Sequence, residues 1–580
     1  MYINLNLMNR FRPIVLVAVI VITAFLAYGL FTIPQPQPSD APGFSSTRVI
    51  NDIEVISKEH HSVVHPEERA QVRQYLIERL EQLGADTVMT FEYDSLSDPR
   101  NRPYIGTFDA VNVLADFAPL KASDDTTWLM MVAHYDSRFA QAMPKDTVWS
   151  YGAADDGYGV GVILETLSQA LKQREHWKQG IKVLFTDAEE VGMVGMTSMW
   201  ENDRAAFDNV GLMINLEARG TWGPCLLFET CPGNDKVMDL YADAAKSPYT
   251  YSLTTVVYNF MPNFTDFTIV KDYIPGLNFS NIADINHYHT DLDNFSNISA
   301  KTIQHYGTQI LPVVMKYLTT AEYGDKDYFR AEKDTVNFTI PVLGLFNFSK
   351  TTYMVINVVL AVLFVLLAGL EFVRGRLRLG KMFKNSLIVL LLSVVVLAFG
   401  ELVAYVSAMI AGADFHPFGI VAGVSFDNAA MVVSMCVIAL VSVLVYCMSR
   451  KRAVRQVAGS MRKSAAFNAM CHNAYDLLYG TMFLLMVLSL VLVIVLGENL
   501  MFFIPLFFAT AAMILYHLTS LKVWLVAAVG LILLHAYSFL FALSMALTIG
   551  AFGAVAMLAF IDIMVLIPLA DLYLLNNRKN

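Results

Sequence analysis

Residues 128–137 read WLMMVAHYDS, an apolar run that breaks without an intervening turn into His134, Tyr135, Asp136 and Ser137. A nearly continuous apolar segment of this length is the pattern of a parallel strand buried on both faces. An ionisable cluster at its carboxyl end stands where open α/β sheets bind ligands. The pattern recurs: 181–190 read IKVLFTDAEE, placing Glu189 and Glu190 after a second strand, and 210–217 read VGLMINLE, ending on Glu217. A fourth run, GLNFS at 276–280, is followed by His287, His289 and Asp291, and the loop GAADDG at 152–157 precedes a helix expected over 159–171. Upstream, Val72, Leu76, Leu80 and Leu83 recur at helical spacing and stop at Gly84, a C-terminal signal. Strands alternating with helices predict right-handed βαβ units in one α/β, doubly wound, mostly parallel sheet.

Outside that region the chain is far more apolar. Of 580 residues 55% are hydrophobic and 16% charged, which excludes a disordered chain and points to a membrane. The net charge, 41 − 51 = −10, lacks the basic footprint of a nucleic-acid partner. The five cysteines cannot form a disulfide framework, and none has zinc-ribbon spacing. Cys225 and Cys231 flank a stretch that reads as strand, which holds them too far apart to pair.

The expected organisation is a cytoplasmic N-terminus over 1–12, an uncleaved signal anchor over 13–33, and a Pro/Ser/Gln-rich linker over 34–46. An extracytoplasmic catalytic domain over 47–322 and a connector over 323–350 follow, then a transmembrane helical bundle over 351–575 and a cytoplasmic tail over 576–580. The bundle holds about seven spans of roughly 20 residues, so with the anchor the chain crosses the bilayer about eight times. Basic clusters test the orientation: Arg10 and Arg12 precede the anchor, Arg374 to Lys384 and Arg450 to Lys463 carry further positive loops, and Arg578 and Lys579 close the chain. Residues 411–428 carry neither Lys nor Arg. These charges fall on one side, which the positive-inside rule makes cytoplasmic. Glu401 and Asp562 lie inside predicted spans, where charge is costly. With no symmetric pair of broken helices a transport pathway is not indicated.

The ionisable clusters carry the chemistry. Imidazoles mixed with carboxylates suit Zn²⁺ better than Ca²⁺ or Mg²⁺. Two histidines and three carboxylates suffice for a pair of metals ~3.5–4 Å apart, sharing one carboxylate and activating a water as hydroxide. Of the adjacent Glu189 and Glu190, one can bind metal while the other moves the proton. Two other readings fail: the glycines of 157–161 follow an acidic loop instead of a strand, unlike a dinucleotide fingerprint, and no HExxH occurs. His60, His61 and His65 precede an amphipathic helix and are expected to be solvated.

The order HYDS, GAADD, EE, Glu217 and YHT resembles the aminopeptidase Y type of zinc metallopeptidase over roughly half the chain, and the multi-span tail is similar to that of its endoplasmic reticulum and vacuolar membrane members. The resemblance implies a zinc exopeptidase-like fold and two Zn²⁺ per site. His134 and Glu217 would hold one ion, Glu190 and His289 the other, with Asp155 bridging. It also implies Glu189 as general base and a cis bond after Asp155. Asp136, Asp156 and Asp293 would support the ligands, Asp136 by orienting His134. Two positions depart from the best-known members: Glu217 replaces an Asp, and GAADD replaces GADDD. Asn263, Thr265 and Asp266 are expected to line the pocket. Arg219 either binds a substrate carboxylate or peptide carbonyl, or pairs with Glu229, which itself counts among the substrate-facing groups.

The expected function is a membrane-bound exopeptidase that removes N-terminal residues from peptides by a dimetal-bound hydroxide. The alternatives are a glutaminyl-cyclase-like zinc acyltransferase, or a non-catalytic membrane binding protein. The expected location is a bacterial inner membrane with the catalytic domain in the periplasm, or the lumen of the endoplasmic reticulum or vacuole in a eukaryote.

Overall fold

A computed structural model describes residues 5–32, 34–100, 102, 105–142, 146–259, 263–419, 421, 424, 426, 429–457 and 463–575. Arg462 and the expected tail 576–580, with Arg578 and Lys579, lie outside them, as do residues 1–4 of the expected N-terminal segment. The chain divides into two compact units: Phe31–Thr339 with Leu343–Lys350, and Met1–Leu30 with Ile340–Val342 and Thr351–Asn580.

In the first unit the strands are β1 (Thr87–Ser97), β2 (Thr107–Phe117), β3 (Trp128–His134), β4 (Phe139–Ala142), β5 (Asp146–Trp149), β6 (Gly180–Thr186), β7 (Val210–Ala218), β8 (Trp222–Thr230), β9 (Gly276–Ala283), β10 (Thr335–Ile340) and β11 (Gly344–Ser349). Seven of them form one sheet in the order β1-β2-β6-β3-β7-β9-β8. The four central strands, β6, β3, β7 and β9, run parallel, and they are the apolar runs buried on both faces. The margins are antiparallel: β2 on β6, β1 on β2, and β8 on β9. Parallel pairing therefore belongs to the centre of a mixed sheet.

The winding positions the site. From β3 the chain passes through helix Gly157–Leu171 to β6 on one side, then through helix Val194–Asn202 to β7 on the other side of β3. Right-handed crossovers in opposite directions put the two helices on opposite faces. The first packs on β3, β7 and helices Ser46–Ile56 and Ala300–Thr319, the second on β1 and β2. Their loops part at the carboxyl end of β3, the switch point where such sheets bind ligands. The glycines once comparable to a nucleotide fingerprint serve close packing: a Cβ on Gly161 would sit 2.7 Å from Val49, and one on Gly159 2.1 Å from Asp156 Oδ2.

Two expectations change here. Residues 34–46, expected as a linker, are part of the packed unit: Phe44 is buried, and a Cβ on Gly307 would run into its ring. Gln304 accepts from the backbone N–H of Gln37 at 3.2 Å and of Ser46 at 3.0 Å. His61, expected in solvent, is 1% exposed and its Nδ1 lies 2.9 Å from Glu59 O. Composition signals local flexibility, whereas burial is decided by what packs on the segment. Within 323–350, β10 and β11 form a small sheet, and Thr339 N–H donates to Thr250 O at 2.9 Å. Cys225 and Cys231 are buried free thiols.

The second unit is a multi-pass helical assembly. Among the described residues seven stretches are long and apolar enough to cross a membrane, and the last, Val523–Leu574, is two helices joined by a turn at Thr548–Ala551. The chain is a multi-pass membrane protein. Small residues let helices approach: a Cβ on Gly400 would lie 2.6 Å from Gly553 Cα. Glu401, beside it, accepts from Gly553 N–H at 3.2 Å. Asn499 joins Tyr353 Oη at 2.6 Å to Asn357 Oδ1 at 2.6 Å, a buried polar junction.

Two outcomes follow for stability. Phe44→Ala should cost ~3–5 kcal/mol and lower the thermal unfolding midpoint of the solubilised protein; an unchanged midpoint would restore the linker reading. His305 Nδ1 accepts from Cys225 N–H at 3.1 Å while Nε2 donates to Ser247 O at 3.0 Å, so the ring is neutral, and burial pushes its pKa down from 6.5 to about 4. His61 is lowered to about 4 by the same cause. The unfolded chain binds these protons first, so above pH 6.5 neither ring affects stability, and between pH 6.5 and about 4 each can remove up to ~1.4 kcal/mol per unit. In denaturant titrations across that window His305→Gln should reduce the acid slope by about one proton; an identical slope would refute a neutral buried His305.

Candidate metal centre

β3 ends on His134, in register with Thr186 of β6. Tyr135 N–H still donates to Thr186 O at 2.9 Å, so the two strand ends leave the sheet side by side. His134 Nδ1 lies 2.9 Å from the carbonyl oxygen of Asp136. A carbonyl can only accept, which places the proton on Nδ1 and turns the Nε2 lone pair toward Asp155 Oδ1 at 3.3 Å and Glu217 Oε2 at 3.8 Å. The sequence assigns this orienting task to the Asp136 side chain; its Oδ1 does lie 3.5 Å from the same Nδ1, and the backbone carbonyl is the nearer acceptor. The Asp136 carboxylate also accepts from Glu189 N–H at 2.9 Å and Glu190 N–H at 3.3 Å, fixing the loop after β6.

That loop turns through Ala188 at φ 57 and sends its two glutamates different ways. Glu190 is buried, with Oε2 3.2 Å from His289 Nε2 and 3.1 Å from Arg138 Nη1. His289, itself left-handed at φ 59, stacks on Tyr288 with ring centroids 3.6 Å apart. Its Nε2 is also 3.3 Å from Asp155 Oδ2. It is nevertheless aligned for a hydrogen bond to neither oxygen, and Glu190 Oε1 is buried with no partner.

Asp155 faces both histidines from the loop that opens helix Gly157–Leu171. The Asp155–Asp156 peptide bond is cis. Asp156 caps the helix, its Oδ1 accepting from Gly159 N–H at 2.9 Å. Asp293 grips the loop from outside, accepting from Ala154 N–H at 2.7 Å, Asp155 N–H at 3.3 Å and Ser150 Oγ at 2.9 Å. Burial pushes Asp293 up to about 7.

The donors fall into two sets, His134 with Asp155 and Glu217, and Asp155 with Glu190 and His289, each with ligand atoms within 4.8 Å of one another. Electrostatics show what the pocket needs. Burial, reinforced by Glu217, raises Glu189 well above the ordinary carboxyl value. Burial raises Glu217 too, with Asp156 and Asp155 adding to it against the pull of His134. Burial opposes ionisation of Glu190, but His289 and Arg138 outweigh it and hold its carboxyl low. Converging nitrogen and oxygen donors, unused lone pairs on Glu190, and carboxylates crowded until they retain protons form a site that fits divalent zinc.

Around it, Asp266 opens helix Asp266–Val270 and accepts from the Thr186 hydroxyl; burial pushes it up to about 6. Asn263 is half-buried three residues earlier. Both Glu229 oxygens are engaged, with Lys271 Nζ at 2.6 Å and Asn278 Nδ2 at 2.9 Å. Arg219 does not pair with Glu229, and its Nη2 is buried without a partner.

Sequence reasoning missed three supports. Arg138 pairs with Glu190 although only its proximity to HYDS marked it. Arg69 forms a buried ion pair with Asp187 at 3.2 Å, and Asp187 also accepts from Tyr135 Oη at 3.0 Å and Val111 N–H at 2.9 Å. Tyr288, read only as a letter of YHT, is the ring under His289.

Residues 112–314, which contain both donor sets, match the sequence profile of Peptidase family M28. The chain is 26% identical over 321 residues to endoplasmic reticulum metallopeptidase 1 of Mus musculus, covering 53% of this chain and 34% of that protein. It is 28% identical over 272 residues to the vacuolar membrane protease of Candida dubliniensis, covering 46% and 27%. It thus spans about a third or less of the length of these curated relatives. Among solved structures, glutaminyl cyclase from Bacteroides thetaiotaomicron aligns over 48% of this chain and 99% of its own at 19% identity, with a TM-score of 0.38. The strand ends that gather His134, Asp155, Glu190, Glu217 and His289 lie within the stretch, residues 112–314, that matches Peptidase family M28, on a chain with seven candidate membrane spans among its described residues.

Proposed function

We propose that this chain is a membrane-bound zinc aminopeptidase, with its catalytic domain outside the cytoplasm. The observation that carries the reading is the pair of donor sets sharing Asp155, with Glu189 belonging to neither. His134, Asp155 and Glu217 would hold one zinc, and Asp155, Glu190 and His289 the second. When bound, the metal supplies Lewis acidity, polarising a substrate carbonyl and making water acidic near neutral pH.

The chain's own residues do the rest. Glu189, partly open to the pocket, takes the proton from the attacking water and returns it to the leaving amine. A carboxyl whose proton affinity is raised by burial, with Glu217 adding to it, is suited to accept and return a proton. The carbonyl of Asp136 keeps the His134 lone pair aimed inward. An arriving ammonium group would be met by the carboxyls of Glu189 and Asp266, neither of which is assigned to a metal, and this favours an amino terminus over a blocked one. Cyclisation by a single zinc would leave one donor set without a task. The basic residues in the bundle's loops support a cytoplasmic side for those connections, and with it an extracytoplasmic side for the domain that follows the anchor.

Two variants test this reading. Glu189→Gln should retain zinc and fold while kcat falls by roughly 10²–10⁴, measured on an N-terminal peptide library with and without chelator; undiminished turnover would sink the base assignment. His289→Ala should lower the zinc content after dialysis from about two per chain toward one, read by elemental analysis. An unchanged stoichiometry would remove His289 from the ligand set.

A further inference from the structure

Arg219 is the cation that the site leaves unused. Its backbone extends β7, with Arg219 N–H donating to Asn281 O at 3.0 Å, so strand alternation puts it on the same face as Asn215 and Glu217. Asn215 Nδ2 donates to Glu217 Oε1 at 3.1 Å, in keeping with that shared face. The neighbouring cations are taken: Arg138 by Glu190 at 3.1 Å and Lys271 by Glu229 at 2.6 Å. Arg219 has no such carboxylate among the described residues, and its Nη2 is buried and unpartnered. Tyr258 and Tyr288 are its electrostatic neighbours. The Tyr258 hydroxyl is likewise buried without a partner and lies within electrostatic reach of Glu217 and Glu189.

Arg219 as a whole is part-exposed, but a guanidinium nitrogen withdrawn from water with neither a partner nor a counter-charge is unfavourable unless an anion arrives. Its planar fork matches a carboxylate, which it can hold bidentately. Arg219 lies two residues along the strand from Glu217, in the site read above as receiving the substrate's ammonium group. A substrate bearing a cation and an anion on the same residue satisfies both charges.

We propose that Arg219, assisted by the Tyr258 hydroxyl, binds the side-chain carboxylate of the substrate's first residue, so that the preferred substrates are peptides beginning with Asp or Glu. This rests on the aminopeptidase reading and names its substrate class. The carboxylate lies on the side chain because the peptide's first residue is the one held beside Glu189 and Glu217. The peptide's own C-terminus would reach Arg219 only in a dipeptide.

The full-length chain in detergent with zinc would be assayed on Glu-, Gln-, Asp-, Asn- and Leu-anilides, and on Ala-Ala beside its C-terminal amide. Glu over Gln in kcat/KM should exceed ~100-fold, because a buried charged group left unpaired penalises the neutral isostere. Arg219→Gln should collapse that ratio to about one, mainly through KM, and Arg219→Lys should retain part of it because charge remains while the fork is lost. A Glu/Gln ratio near one in the unmodified protein would overturn the proposal. Equal anilides with a strong preference for Ala-Ala over its amide would overturn it in favour of a terminal carboxylate. Calorimetric binding of free glutamate and glutamine to zinc-loaded Glu189→Gln protein separates this from failure of the peptidase reading. Glutamate binding tighter, with the difference lost on Arg219→Gln, supports the anchor even without turnover; equal binding rejects it even if hydrolysis is confirmed.

Discussion

Like charge packed out of water is the constraint on which this site depends. Asp155, Asp156 and Glu190 are fully buried, Glu217 nearly so, and Glu189 adjoins them. Two such charges 4 Å apart repel by ~4 kcal/mol at an effective dielectric near 20, and several pairs together rival the ~5–15 kcal/mol by which a domain is stable. The carboxyls therefore hold either protons or cations. Their raised proton affinity and their convergence with two imidazole nitrogens are two aspects of one fact: the sequence places anions where only a strongly bound positive charge makes them tolerable.

Tolerating them also requires a rigid frame, and here the acids divide by task. Asp136, Asp156 and Asp293 spend their oxygens on backbone N–H groups, of Glu189 and Glu190, of Gly159, and of Ala154 and Asp155. Each thereby ties one loop at the carboxyl end of the sheet. Asp155, Glu190 and Glu217 face inward from the loops and strand so fixed. The buried Arg69–Asp187 pair anchors the start of the Glu189 loop in the same way. Since a misplacement of about 1 Å can cost a hundredfold in rate, these backbone-gripping carboxylates matter as much to the chemistry as the groups that touch it.

What the sequence displayed follows from how each feature is encoded. Three central strands, β3, β6 and β7, were legible because burial on both faces favours a nearly unbroken apolar run, here followed at once by an ionisable cluster; β9, with Asn278, Ser280 and Asn281 inside it, was marked by the YHT that follows. The antiparallel margins were not: β1 mixes exposed and half-buried positions in a way that no single period captures. Residues 34–46 read as flexible from Pro, Ser and Gln, yet Phe44 fits where Gly307 leaves room, a complementarity between segments 263 positions apart in the chain. His61 sits between Glu59 and Ser62 in a polar stretch, and only tertiary packing buries it. The charge balance of Arg219 was equally invisible. Two partners were open to it until Lys271 and Asn278 proved to occupy Glu229.

The two donor sets are electrostatically unequal, and the inequality traces to His289 and, beside it, Arg138. Beside Glu190 and His289 this guanidinium keeps the carboxyl ionised, but it also competes for Glu190 Oε2 and adds a positive charge that a second cation must meet. Among the described residues no guanidinium is paired with the donors around His134 and Glu217, and Asp156 and Asp155 raise the proton affinity of Glu217 instead. A cation entering there displaces protons from an uncompensated cluster and gains the full attraction of its ligands. One entering the other set finds part of that attraction already satisfied. Because Asp155 contributes one oxygen to each set, the first cation also weakens the field available to the second. Two zincs bound as proposed would therefore be held with unequal affinity, because Arg138 and His289 stand beside Glu190 while no guanidinium is paired with Glu217 among the described residues.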